Sequence, residues 1–145
     1  MRALTIRQPW ASAIAYAGKT IENRVQRWSY RGPLLIHAGA AIDRAAKKHP
    51  PMAAVLRGLQ LEQRAVIAVA RIADCHPDDG ACTPWSVPGH FHYVLAAVTP
   101  LPLPVPHERG ALGLWVPSAD LVAQVRQQLD DDTVHQLFDE VGAER

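Results

Sequence analysis

Apolar positions alternate with polar ones over short runs in much of this chain, and shift to a helical spacing between those runs. Residues 3–6 read as a first strand. Pro9 suits the first turn of a helix ending near Ala17, because its missing N–H is not needed there, and Trp10, Ala13, Ile14 and Ala17 share one face. Gly18 fits the left-handed position that ends such a helix. Residues 20–24 predict a strand with Ile21 on one side and Thr20, Glu22 and Arg24 on the other. A loop carrying Trp28 and Tyr30 leads to a strand over 33–37. Residues 40–48 read as a helix, and Pro50-Pro51 ends it and starts a second, to about Leu59. Residues 65–73 are apolar on both faces, as in a strand covered on both sides. A polar loop over 74–89 precedes a strand over 91–98. Pro100, Pro102, Pro104 and Pro106 then require an extended segment that wraps a sheet edge rather than crossing a sheet. Ser118 is placed to cap a helix carrying Leu121, Val122, Val125 and Leu129, and a last amphipathic stretch carries Val134, Leu137, Phe138 and Val141. With no repeat and no long linker, one domain is expected.

At 145 residues the chain can bury a core without staples, so Cys75 and Cys82 need not form a bridge. A 48% hydrophobic and 20% charged composition is that of a globular rather than a disordered chain. No apolar run is long enough for a bilayer, and Arg7, Gln8 and Pro9 interrupt any leader, so no membrane role and a cytoplasmic location are expected. The net charge of +1 hides an asymmetry. Up to Arg31 there are six cations and one anion, Glu22, giving +5, whereas from Ser118 onward two cations face seven anions, giving −5. One basic end can steer a phosphate-bearing ligand to one face.

The basic end is also where aromatics concentrate. Arg7, Lys19, Glu22, Arg24, Trp28, Tyr30 and Arg31 combine planar forks and a point charge for phosphate with rings on which a base can stack. Glu22 can orient those cations or accept from an exocyclic amine. The same residues also admit structural readings, with Trp10 in the core and Glu22 and Arg24 as an ion pair on one strand face.

The run LTIRQPWASAIAYAGKTIENR, followed by WSYRGPLLIHA, resembles the N-terminal signature of the ASCH (activating signal cointegrator homology) domain family. Its tail is similar to YVLAAVTPLPLPVPHERGALGLWVP, so the likeness spans roughly Leu4 to Pro117. Gly18, Lys19, Glu22 and Arg24 form a G-K-x-x-E-x-R element, supported by R-Q-P-W before it and by Gly110, Gly113, Leu114 and Trp115 downstream. The resemblance implies an α+β fold: a PUA-like mixed β-barrel flanked by helices over residues 1–117, with a C-terminal helical extension, 118–145, packed on the same domain. It also implies a cleft that binds RNA or a nucleotide. One branch of the family hydrolyses acetylcytidine through a threonine nucleophile in a K-T-I-T element. Here Lys19 matches, but Glu22 stands where the nucleophile would be.

An alternative reading is therefore a hydrolase acting on RNA or a nucleoside amide, with Lys19 as general base or electrostatic stabiliser and Glu22 as acid or base. A protein partner docking on the proline run or the acidic C-terminal helix is a third reading. Cys75, His76, Cys82, His90 and His92 match no usual zinc spacing, which wants close pairs, so neither metal nor cofactor is expected.

Overall fold

The computed structural model describes residues 1–80 and 82–139. Strands β1 (Arg2–Gln8), β2 (Ile21–Arg24), β3 (Gly32–Ile42), β4 (Ala65–His76), β5 (Phe91–Pro106) and β6 (Leu114–Trp115) form one sheet in the order β2-β5-β4-β3-β1-β6. The sheet curls into a half-barrel. β1 runs parallel to β3, and the other pairings are antiparallel. Helices α1 (Trp10–Tyr16), α2 (Pro50–Val55), α3 (Ala119–Arg126) and α4 (Asp131–Val134) flank it, which makes the architecture α+β. Among the described residues no helix is long and apolar enough to cross a membrane.

Strand alternation builds two apolar layers. Leu34 and Ile36 of β3 pack with Leu4 and Ile6 of β1, Tyr93 and Leu95 of β5, and Ile14 of α1. Leu35, between them in sequence, faces the other way and packs with Ala3, Val66 and Val69 under Leu121, Val125 and Leu137. Fully burying a leucine or valine contributes about 1.5–3 kcal/mol, so these three side chains hold the C-terminal helices to the sheet. Ser118 caps α3 by accepting from the Leu121 N–H at 3.1 Å, and Asp130 caps α4 from the Thr133 N–H at 2.7 Å. Val141, expected on the last apolar face, lies outside the described residues.

Strands β3, β4 and β5 run further than the sequence reading expects, and β6 is a strand it does not predict. The helix expected over 40–48 is instead the end of β3 followed by a 3-10 turn, Arg44–Lys48. Pairing explains it: Gln8 of β1 stands opposite Ile42, and that ladder outweighs the helix preference of an alanine-rich stretch. β4 likewise runs on to His76, because β5 supplies a partner as far as His92. The proline run continues β5 rather than leaving the sheet. β2 pairs with Phe91–Val94, so among the described residues the prolines fall where the strand has β4 on one side and no strand on the other. There the Leu103 N–H donates to Gln128 Oε1 at 2.8 Å.

The curl carries β2, at one edge of the sheet, round toward β1 near the other. Arg24 of β2 reaches across and donates from Nη2 to the Thr5 carbonyl of β1 at 3.1 Å. The gap between those strands is where the candidate site lies.

Candidate functional site

Gly18, at φ +72°, turns the chain out of α1, and the Lys19 N–H closes that turn on the Ala13 carbonyl at 3.2 Å. The turn sends the Lys19 side chain into the β1–β2 gap, where only 1% of it is exposed. Its ammonium donates to the Ile21 carbonyl at 2.5 Å and to Glu22 Oε1 at 3.0 Å. Oε1 also accepts from the Asn23 N–H at 3.2 Å. Oε2 accepts from Arg24 Nε at 3.2 Å and from Nη2 at 2.9 Å. Burial pushes the Glu22 carboxyl up, but the charges and hydrogen bonds of Lys19 and Arg24 together outweigh it and hold it below its ordinary value. Glu22 is therefore an anion with both oxygens doubly engaged, fixing two cations in place.

This triad forms one side of a cavity of about 370 Å³. Trp10 is another wall: its indole N–H donates to Asp43 Oδ2 at 2.9 Å, and Lys19 Nζ stands 5.8 Å from its ring. Behind it His49 meets the indole edge-on at 5.5 Å, its imidazole pushed toward neutrality by burial and by the Lys19 charge. Arg7 stands at the rim, 3.8 Å from the Asp43 carboxylate with its side chain 64% exposed. Ile6, Val25 and Val87 add apolar surface. Three cations against two carboxylates leave the lining one positive charge in excess.

Of the residues expected to form a cleft, Arg7, Lys19, Glu22 and Arg24 converge on this cavity. Trp28 sits beside it, lining a smaller hollow of about 210 Å³ with Arg24, Val25 and Leu112, its ring tilted on Tyr93 at 5.1 Å. Tyr30 and Arg31 line neither cavity. The Tyr30 hydroxyl donates to the Pro33 carbonyl at 2.7 Å under the Arg2 guanidinium, and Arg31 Nη1 donates to the Trp28 and Tyr30 carbonyls at 2.9 Å each. Their polar groups stabilise their own loop. Trp10, read as core, packs against two apolar clusters and is also a cavity wall, for which its place in the R-Q-P-W run was the available signal. Thr5 and Asn23, neighbours in sequence of Arg7 and of Glu22 and Arg24, also line the cavity, and Asp43, Val87 and His90 are brought there from distant parts of the chain.

The downstream glycines have a related role. Gly110 passes so close to Thr5 that a Cβ there would run into the threonine side chain. Thr5 Oγ1 in turn accepts from the Trp115 indole N–H at 3.0 Å.

A half-barrel whose first two strands frame a charged pocket beside a helix is a PUA-like architecture. The ASCH domain model matches residues 4–97, and the chain belongs to the ASCH domain family. A comparison with curated proteins finds no match. The family is consistent with RNA binding or a related function.

Proposed function

We propose that this protein binds RNA or a nucleotide by seating one nucleoside unit between Trp10 and Arg24, with phosphate held by Arg7 and Arg24. The observation that carries this reading is the Lys19–Glu22–Arg24 triad, with Lys19 and Glu22 buried and Arg24 partly exposed, set against an aromatic wall in a cavity of about 370 Å³. That size falls among small-ligand pockets, roughly 300–1,000 Å³, and suits one nucleoside better than the side of a strand. The excess positive charge supports an anionic ligand, and the indole supports stacking of a base.

The same pocket could serve a hydrolase only if Glu22 or Lys19 were free to move a proton. Glu22 is held ionised by two cations, with two donors on each oxygen, which favours an anchoring role over activating water. Acetylcytidine turnover is accordingly expected to be absent or very weak.

The test is calorimetric titration with nucleoside monophosphates, short RNA and short single-stranded DNA, run beside a chromatographic assay of acetylcytidine hydrolysis. Saturable binding without turnover is expected. Robust hydrolysis lost in Glu22→Gln would replace this reading with a glutamate-based hydrolase, and a failure of every nucleotide and oligonucleotide to bind would remove the ligand class altogether.

A further inference from the structure

On the far side of the β2 strand's partner, the ladder between β4 and β5 sets His76 directly opposite His92, with their rings edge-to-face at 5.2 Å. The loop between these strands returns to place Cys82 Sγ 3.6 Å from His92 Nδ1. One donor atom from each of His76, Cys82 and His92 lies within 4.8 Å of the other two. Neither His76 nor His92 is among the residues lining the pocket described above.

Each imidazole has one nitrogen tied to a backbone carbonyl. His92 Nε2 lies 2.9 Å from the Val87 oxygen and His76 Nδ1 lies 2.8 Å from the Pro77 oxygen. Those nitrogens must carry the proton to make the bonds, which leaves a lone pair on His92 Nδ1, beside the cysteine sulfur, and another on His76 Nε2. Fixing the tautomer through a carbonyl is how proteins orient metal-binding histidines.

We propose that His76, Cys82 and His92 form a zinc site, with a thiolate, two imidazole nitrogens and a fourth position for water. Zinc takes mixed nitrogen and sulfur ligands tetrahedrally. Bonds of about 2.3 Å to sulfur and 2.0–2.1 Å to nitrogen at that angle separate the two atoms by about 3.6 Å, which is the Cys82–His92 spacing. Binding converts the Cys82 thiol to a zinc-bound thiolate and releases its proton to solvent. Ser86 Oγ, 3.0 Å from the sulfur, is placed to donate to that thiolate.

The site would staple the loop that forms one wall of the pocket. Asn23 of β2 already holds this loop from within, donating to the Trp85 carbonyl and accepting from the Val87 N–H at 2.9 Å each. Zinc would fix its outer side, and with it Val87 and His90 at the pocket rim. Close pairs such as C-x2-C are absent because the paired ligands here meet across two strands.

The experiment is a cobalt(II) titration of the full chain, reduced and stripped of metal, followed by absorbance. Expected are a thiolate-to-cobalt band in the near ultraviolet and intense visible bands of a tetrahedral ion, saturating at a single equivalent and displaced by zinc. Cys82→Ser should abolish the near-ultraviolet band while circular dichroism shows the fold retained, and Cys75→Ala should keep it. His76→Ala should weaken zinc binding by about tenfold or more. Folded wild-type protein that gives no thiolate band with stoichiometric cobalt would overturn the proposal. So would a band that survives Cys82→Ser.

Discussion

Two polar clusters are buried on either side of Thr5, and they differ in what they leave open. On one side Lys19, Glu22 and Arg24 line a cavity, and Arg24 bonds the Thr5 carbonyl. On the other, His37 Nδ1 meets Thr5 Oγ1 at 3.0 Å and Nε2 meets the His107 carbonyl at 2.7 Å, while Trp115 stands edge-on to His37 at 5.7 Å. Both clusters are hydrogen-bonded as buried polar groups must be. The first is charged and lines the 370 Å³ cavity, whereas His37, His107 and Trp115 are not among that cavity's lining residues. Burial of polar side chains therefore does not mark a site here; charge fixed beside open volume does.

The largest effect expected is from Glu22→Ala. It strands the buried Lys19 charge, and losing one partner of a buried pair costs about 3–5 kcal/mol, measurable by denaturant unfolding. A loss below about 1 kcal/mol would mean that the triad is not an electrostatic unit. Next is Trp10→Ala, which should weaken nucleotide binding by about 1–3 kcal/mol, the usual worth of a base stacked on a ring. Unchanged affinity would remove Trp10 as the platform. His37→Phe should lower stability by about 1–3 kcal/mol, because Thr5 and the His107 carbonyl lose a partner, yet leave binding intact. If it abolished binding in folded protein, the two clusters would not be separable.

The clusters should also come apart in acid. Burial holds His37 below its ordinary value of 6.5, so its contribution is full above that pH and is lost as pH falls from there through the lower folded value. Glu22 is likewise held low, so its contribution is full above 4.5 and is lost only as pH falls further. Unfolding free energy should thus decline in two stages. In Glu22→Gln the second stage should be diminished, whereas in His37→Phe the first should be.

Five of the six strands, α1, the Ser118 cap and the convergence of Arg7, Lys19, Glu22 and Arg24 were legible because each rests on local pattern or on a contiguous motif. What was not legible depends on closure. Residues 40–48 have a helical composition, but pairing of Ile42 with Gln8 extends the strand, and only the folded sheet supplies that partner. Asp43 and Val87 reach the pocket from loops distant in sequence. That the Tyr30 hydroxyl and Arg31 Nη1 are bonded to carbonyls of their own loop is likewise something only the folded loop shows. His76 and His92 are partners only through strand register.

The central claim is that cations in the β1–β2 gap, rather than basic charge in general, hold the ligand. It is tested most directly by the salt dependence of short-RNA binding in wild type, Arg24→Ala and Arg31→Ala, each verified as folded. Arg24→Ala should weaken binding by about tenfold or more and flatten the salt slope by about one charge. Arg31→Ala, whose Nη1 is bonded to the carbonyls of its own loop, should match wild type. Equal losses in both variants, or none in either, would contradict the account.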